Sequence, residues 1–338
     1  MINRRAYILS STACLALAAC QHSTKPTKTN PVSFDIYDPR FADYISPSAT
    51  AEILSEGHQW IEGPTWDKKR NTLYFTDVPQ NTAYAWNSLD GVKVFLKPSG
   101  ADLTADDGFR EPGANGLLYL DDDTLLICNH GKRALERMDL STGKRSILAS
   151  QYEGKKFNSP NDVIYASSGD MFFTDPPYGL TGINDSPLKE MKFNGVYLRS
   201  KNGTIRRLLS DMTFPNGIVL SPDETFVFVS QSDPNKPIIR RVKLNHQNQV
   251  VGDEVWFDAS SYQSDNSPGL PDGMVVAHDG ALFTTGPGGV FVLSPDGEVL
   301  GRINTGKATA NCTFGETGST LFITAGDTLL KLPTLTHS

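Results

Sequence analysis

A chain of 338 residues, 38% hydrophobic and 9% aromatic, can bury a sizeable core as one large all-β domain or two ordinary ones. Its net charge of -7 comes with no basic stripe, which excludes the phosphate recognition that a nucleic-acid partner requires and favours a small-molecule or cationic ligand. The 29 glycines and 21 prolines call for many turns.

The chain opens on a targeting signal. Arg4 and Arg5 precede the apolar run Ala6 to Ala19, which is too short to span a bilayer. Leu17-Ala18-Ala19-Cys20 resembles a bacterial lipobox; this predicts removal of residues 1–19, acylation of Cys20 and, with Gln21 next, retention at the outer membrane on its periplasmic side. A plain secretory signal with a chance cysteine is the alternative. Arg4-Arg5 also matches part of a twin-arginine signal, so export runs by the Sec or the twin-arginine route. Residues 20–45 are expected to be the lipidated cysteine and a flexible tether, because Thr, Lys, Pro and Asn dominate Gln21 to Val32. The folded domain is expected over 46–338.

Within that domain one unit recurs: a small polar segment, an apolar strand, a Gly or Asp turn, and a second apolar strand. Six copies begin at Glu62-Gly63-Pro64-Thr65-Trp66, Ala114-Asn115-Gly116, Pro160-Asn161-Asp162, Pro215-Asn216-Gly217, Pro271-Asp272-Gly273 and Ala310-Asn311-Cys312. The second strands are expected at Thr72 to Thr76, Thr124 to Cys128, Met171 to Thr174, Thr225 to Ser230, Ala281 to Thr285 and Thr320 to Thr324. Short Val-, Ile-, Phe-, Tyr- and Thr-rich strands without helical periodicity are an all-β signature. The anchors Glu62, Asn115, Asn161, Asn216, Asp272 and Asn311 lie 39 to 56 positions apart, close to the length of a four-stranded blade, which predicts a six-bladed β-propeller.

In a propeller the innermost strands line the central channel, so equivalent positions form a ring around the axis. Here the ring holds two carboxylates and four carboxamides, with no thiolate or imidazole. Oxygen donors of mixed charge match one divalent cation on the axis, Ca²⁺ best, with Zn²⁺, Mn²⁺ and Mg²⁺ as the alternatives. Two plainer readings stay open at this point. Pro-Asn-Gly and Pro-Asp-Gly are ordinary turn formers, and the ion could be a purely structural clamp between blades.

No Gly-x-Ser-x-Gly elbow, Gly-x-x-x-x-Gly-Lys loop or His-Glu-x-x-His pair occurs, so serine-esterase, nucleotide and zinc-protease readings lack their motifs. Of the four cysteines, Cys128 and Cys312 remain in the folded domain, in apolar settings that suit buried free thiols. His130 follows a core strand, where it either contacts a ligand or makes a structural hydrogen bond. Asp175 and Tyr178 lie in the rigid loop Thr174-Asp175-Pro176-Pro177-Tyr178-Gly179, with the segment to Met191 as a candidate lid. Nothing points to a protein partner, and membrane contact is expected through the lipid anchor alone.

These segments, with Phe109-Arg110-Glu111-Pro112-Gly113-Ala114-Asn115-Gly116, Phe173-Thr174-Asp175-Pro176-Pro177-Tyr178-Gly179-Leu180 and Leu270-Pro271-Asp272-Gly273-Met274, resemble the regucalcin and gluconolactonase family of six-bladed propellers. The likeness is to bacterial gluconolactonases and runs from about Glu56 to Leu332. It implies that Glu62, Asn161, Asn216 and Asp272 surround a catalytic divalent metal and that Asp272 is the acid/base residue. It also implies that Asn115 and Asn311 are not general ligands. The implied activity is hydrolysis of a sugar lactone such as D-glucono-1,5-lactone, with Arg110, Asn115, His130 and Tyr178 as candidates to meet its hydroxyls. A related propeller esterase for other lactones or organophosphates, and a non-catalytic calcium- or sugar-binding lipoprotein, are the alternatives.

Overall fold

A computed structural model describes residues 30–336. The signal over 1–19, Cys20 and the tether up to residue 29 lie outside the described residues.

Six antiparallel sheets of four principal strands follow one another around an axis. Blade I comprises Ile61–Asp67, Thr72–Asp77, Thr82–Asn87 and Gly91–Leu96; blade II comprises Ala114–Leu120, Thr124–Asn129, Ala134–Asp139 and Arg145–Ala149. Blade III is Val163–Tyr165, Met171–Asp175, Asn194–Arg199 and Ile205–Met212, and blade IV is Pro215–Leu220, Phe226–Gln231, Ile238–Leu244 and Val250–Asp258. Blade V is Met274–Val276, Leu282–Gly286, Gly289–Leu293 and Val299–Asn304. Blade VI is Thr309–Gly315, Thr320–Ala325 and Thr328–Pro333, completed by Glu52–Ser55 from before blade I. The expected first and second strands of every repeat are present, displaced by a residue or two at their ends.

Burial explains the patterning. Second strands lie inside the sheets with neighbouring blades on both faces, so they read as nearly unbroken apolar runs such as Leu125-Leu126-Ile127 and Leu321-Phe322-Ile323. Fourth strands face solvent, and in Val250–Asp258 the edge carries Asp253 and Glu254, which pair with Arg240 and Arg241 of the adjoining strand. The hydrophobic core is accordingly divided. One cluster fills each interface between blades, as with Leu126, Phe173 and Tyr197 between blades II and III, and Ile61, Phe75 and Phe322 between I and VI. Cys128 and Cys312 are buried and unpaired in such surroundings.

Residues 33–45, expected within the tether, belong to the folded body. Ser33–Ile36 adds a fifth strand to blade V by pairing with Val299–Asn304. A 3₁₀ turn over Pro39–Asp43 then seats Phe41 and Ile45, both fully buried, in the cluster of Phe283, Val290 and Ile303. A four-residue strand followed by two isolated apolar residues has no period of its own; its burial is created by blade V. Phe41→Ala is therefore expected to remove roughly 3–5 kcal/mol of stability, visible as a lower denaturant midpoint. An unchanged midpoint would mean that the segment is tether after all.

Candidate active site

The six anchor residues stand where the first strands begin at one mouth of the channel. In blades I, II and IV the pairing register breaks there, between Glu62 and Thr65, Ala114 and Leu117, and Pro215 and Ile218, so each donor side chain is turned out of its sheet toward the axis. Four donors are followed by glycine, and the reason is close approach between blades. A Cβ on Gly63 would stand 2.2 Å from the carbonyl oxygen of Asn115, one on Gly116 2.6 Å from that of Asn161, and one on Gly217 2.3 Å from that of Asp272. On Gly273 it would fall 1.9 Å from Cγ of Asn311. The Asn-Gly and Asp-Gly pairs are thus not turns, as their composition alone allowed, but contacts by which each blade seats the next donor. In blade III the corresponding residue is Asp162, whose carboxylate accepts from the Ile218 amide of blade IV at 3.3 Å. Hydroxyls on the second strands complete the seating: Thr76 donates to the Asn115 carbonyl, Thr174 to that of Asn216 and Ser230 to that of Asp272.

A cavity of about 420 Å³ opens over this ring, with Glu62, Asn115, Asn161, Asn216 and Asp272 in its floor. The amides form a directed chain. Asn115 Nδ2 donates to Asn161 Oδ1 at 2.8 Å, Asn161 Nδ2 to Asn216 Oδ1, and Asn216 Nδ2 to Ser232 Oγ at 2.8 Å, which donates in turn to the Pro271 carbonyl at 2.7 Å. Each of these amides gives one N–H to its neighbour, and Asn161 Oδ1 and Asn216 Oδ1, each accepting one bond, keep a second lone pair. Glu62 accepts from the Gly63 amide at 3.1 Å and from Asn311 Nδ2 at 3.5 Å, but no basic side chain reaches it or Asp272 among the described residues. Arg110, the cation in the wall, is paired with Glu111.

Two carboxylates buried together without compensation must either hold protons or share a cation. Burial, and then the neighbouring Asp162, pushes Glu62 up to about 8 against the pull of the Gly63 amide. Burial and the Glu62 charge likewise push Asp272 well above the ordinary carboxylate range. Two carboxylates and at least two amide oxygens lining one cavity floor are the donor chemistry of a Ca²⁺-like ion, so these residues fit the expected cation.

Residues 60–327 match the SMP-30/gluconolactonase/LRE-like family. The chain is 40% identical over 304 residues to a gluconolactonase from Zymomonas mobilis, covering 89% of this chain and 85% of that one. The chain belongs to the SMP-30/gluconolactonase family. A solved gluconolactonase from Xanthomonas campestris superposes with a TM-score of 0.76 at 30% identity, over 91% of this chain and 96% of that one. The calcium-binding regucalcin of Agrobacterium tumefaciens shares the fold, with a TM-score of 0.66 at 21% identity over 84% and 93% of the two chains.

For this member of the family, the cavity gathers most of the residues singled out from sequence. Arg110, Asn115 and Tyr178 line it beside the four expected ligands. His130 does not. It is fully buried behind Asn115, with Nε2 3.4 Å from Asn115 Nδ2, and its Cβ sits where a side chain on Gly179 would collide. Burial pushes it down to about 3, so it is a neutral support for Asn115 rather than a substrate contact. Asn311 also lies outside the lining and serves Glu62. Asp175 is buried beneath the Tyr178 loop, accepting from the Asn158 amide at 2.8 Å. The candidate lid is fastened at both ends: Arg110 and Thr181 amides donate to Gly179 and Gly108 carbonyls at 3.0 and 2.9 Å, and Met191 is buried in the core between blades II and III.

Sequence reasoning passed over Glu111, Ser232, Trp60 and Leu270, which also line the cavity. Glu111 had a signal, an acid beside an arginine in a segment leading straight to an axial donor. Ser232 had none, because it lies just beyond a second strand and reaches the ring only through blade curvature.

Proposed function

We propose that the protein hydrolyses a sugar lactone, D-glucono-1,5-lactone foremost, to its aldonic acid at this cavity, with one divalent cation, Ca²⁺ by preference, held by Glu62, Asn161, Asn216 and Asp272. The observation that carries the proposal is the uncompensated Glu62–Asp272 pair set among amide oxygens on the floor of a sugar-sized cavity. Identity to the Zymomonas gluconolactonase over most of both chains supports the choice of substrate. When bound, the cation polarises the lactone carbonyl.

The chain's own residues supply the rest. Asp272 is the donor most open to the cavity, so it is the carboxylate that an attacking water can reach. It accepts the water proton as the oxygen adds to the carbonyl carbon, and collapse of the tetrahedral adduct breaks the bond to the ring oxygen, which must gain a proton. Arg110 and Glu111, a donor and an acceptor presented side by side in the wall, suit the hydroxyls of a polyol. The reading includes the expected export signal and anchoring through Cys20, which would put the enzyme in the periplasm at the outer membrane.

A pH-indicator assay of the purified soluble domain tests it, with aldonolactones, aliphatic lactones and organophosphates, each with and without chelator. Chelator-sensitive acid release is expected from aldonolactones. Turnover confined to organophosphates, or none of any substrate, would sink the lactonase reading.

A further inference from the structure

Most arginines of this acidic body are paired with carboxylates, as Arg70 is with Asp67, Arg145 with Glu136 and Arg302 with Asp35. The seam between blades II and III departs from that rule. At the end of the propeller opposite the active-site mouth, where turns join first strands to second, a cavity of about 230 Å³ is lined by Arg137, Arg199 and Lys201. None of the three forms an ion pair among the described residues.

Strand register puts the two arginines on facing surfaces. Arg137 stands directly opposite Leu126 in blade II, and Arg199 directly opposite Met171 in blade III. Opposed residues of an antiparallel pair share a face of the sheet, and Leu126 and Met171 both belong to the core between these blades. Arg137 therefore lies on the face that blade II turns to blade III, and Arg199 on the face that blade III turns back. Arg199 reaches across the seam, with Nε donating to the Leu148 carbonyl of blade II at 3.1 Å and Nη1 to the Ser200 carbonyl at 3.4 Å, while Nη2 makes no hydrogen bond. Burial pushes its guanidinium down from its ordinary value, and no carboxylate offsets that shift. Lys201 is laid over Gly169, where an added Cβ would stand 2.9 Å from the lysine Cδ. The acid in the lining, Asp122, is exposed and accepts from the Thr124 amide at 3.2 Å. Asp170, beside the cavity, is engaged by the Lys201 backbone amide at 2.9 Å and by Asn248 Nδ2 at 2.8 Å.

Three cations against one carboxylate repel one another around a single cavity unless an anion stands between them. The paired N–H groups of a guanidinium match the oxygens of a phosphate, and an ammonium adds a point charge. Leu120, Leu148 and Tyr165 complete the wall with apolar surface, which suits the organic part of a phosphate ester. We propose that this seam binds a phosphate group, held by the guanidinium groups of Arg137 and Arg199 and the ammonium of Lys201. The site is separate from the axial cavity and independent of the lactonase reading. A free phosphate and the headgroup of an anionic phospholipid present the same chemistry, and two measurements tell them apart.

Titration calorimetry of the full protein with inorganic phosphate, at constant ionic strength in sodium chloride, reads the first source. Partition onto vesicles of phosphatidylglycerol against vesicles of phosphatidylcholine reads the second. Arg137→Gln and Arg199→Gln are each expected to weaken whichever binding occurs by about tenfold or more. The N-terminal segment is common to wild type and variants, so its contribution to partition cancels. Arg137 makes no side-chain hydrogen bond among the described residues, so Arg137→Gln should keep the wild-type Tm and carries the test even where loss of the Arg199–Leu148 contact unfolds the chain. Phosphate binding that is lost in the variants identifies a free phosphate as the ligand. A preference for phosphatidylglycerol that is lost in the variants, without binding of inorganic phosphate, identifies a lipid headgroup. Binding of neither overturns the proposal, and so does binding that the folded variants retain at wild-type strength.

Discussion

Asp272→Asn is expected to cut turnover of D-glucono-1,5-lactone by about 1,000-fold or more while leaving a folded propeller. Asparagine fills the same space and keeps a donor oxygen on the axis, but it cannot accept the water proton. It also removes half of the anionic charge that retains the cation. In the absence of cation the same change removes one member of a buried, mutually repelling pair, since the Glu62 charge acts on Asp272 directly. Cation-free Asp272→Asn should therefore melt no lower than cation-free wild type. Steady-state kinetics and thermal unfolding in chelator check the two halves separately. Near-wild-type turnover in a folded variant would remove Asp272 from the chemistry, and a variant that melts lower in chelator would contradict the repulsion.

Removal of the cation should abolish activity reversibly and lower Tm. At a free Ca²⁺ concentration a thousandfold above Kd, binding stabilises the native state by about 4 kcal/mol, which for a domain of this size is on the order of 10 °C. The size of that gap should depend on pH, and its sign follows from Glu62. Without a cation the folded protein pushes Glu62 from 4.5 up to about 8, so it holds a proton that the unfolded chain gives up. The resulting stability is fully present below about 4.5 and is lost as pH rises through about 8. Asp272, shifted in the same direction, adds to the trend. With cation bound both carboxylates are already ionised and this loss does not occur. The difference in Tm between Ca²⁺-loaded and chelated protein should thus widen steadily from about pH 5 to pH 8. A gap that stays constant across that range would mean that Glu62 does not hold the ion, and exhaustively demetallated enzyme with full activity would remove the cation from the mechanism.

What could be read from the residues alone follows from where each constraint resides. The strand pairs opening each repeat carry their own signal, because burial on both faces demands apolar runs such as Val227-Phe228-Val229 wherever the blade is in the ring. The axial register was legible for the same reason, as one polar residue recurs at a fixed place before each run. The glycines beside the donors were visible, but their purpose was not. Gly217 looks like a turn residue until the Asp272 carbonyl is found against it, in another blade. His130 shows the opposite failure. Its position after a core strand placed it near the mouth of the channel, and only the packing of Gly179 and Asn115 reveals that its ring lies behind the wall. Phe41 and Ile45 were lost to the tether because two apolar residues in a short irregular segment acquire their meaning from a blade assembled far later in the chain.

Blade VI borrows its last strand from ahead of blade I, with Glu52 paired to Lys331. Glu62 comes from the first blade to be synthesised and Asp272 from the fifth, so the two carboxylates proposed to hold the ion are brought together by a ring that this borrowed strand closes. No single blade contains the site. The leading strand has no partner until the trailing blade is made, so affinity for the proposed ion is expected to depend on closure of the whole ring. Calcium uptake would then serve as a stopwatch for ring closure: a truncated chain lacking Thr328–Pro333 could retain most of its strands and still bind nothing.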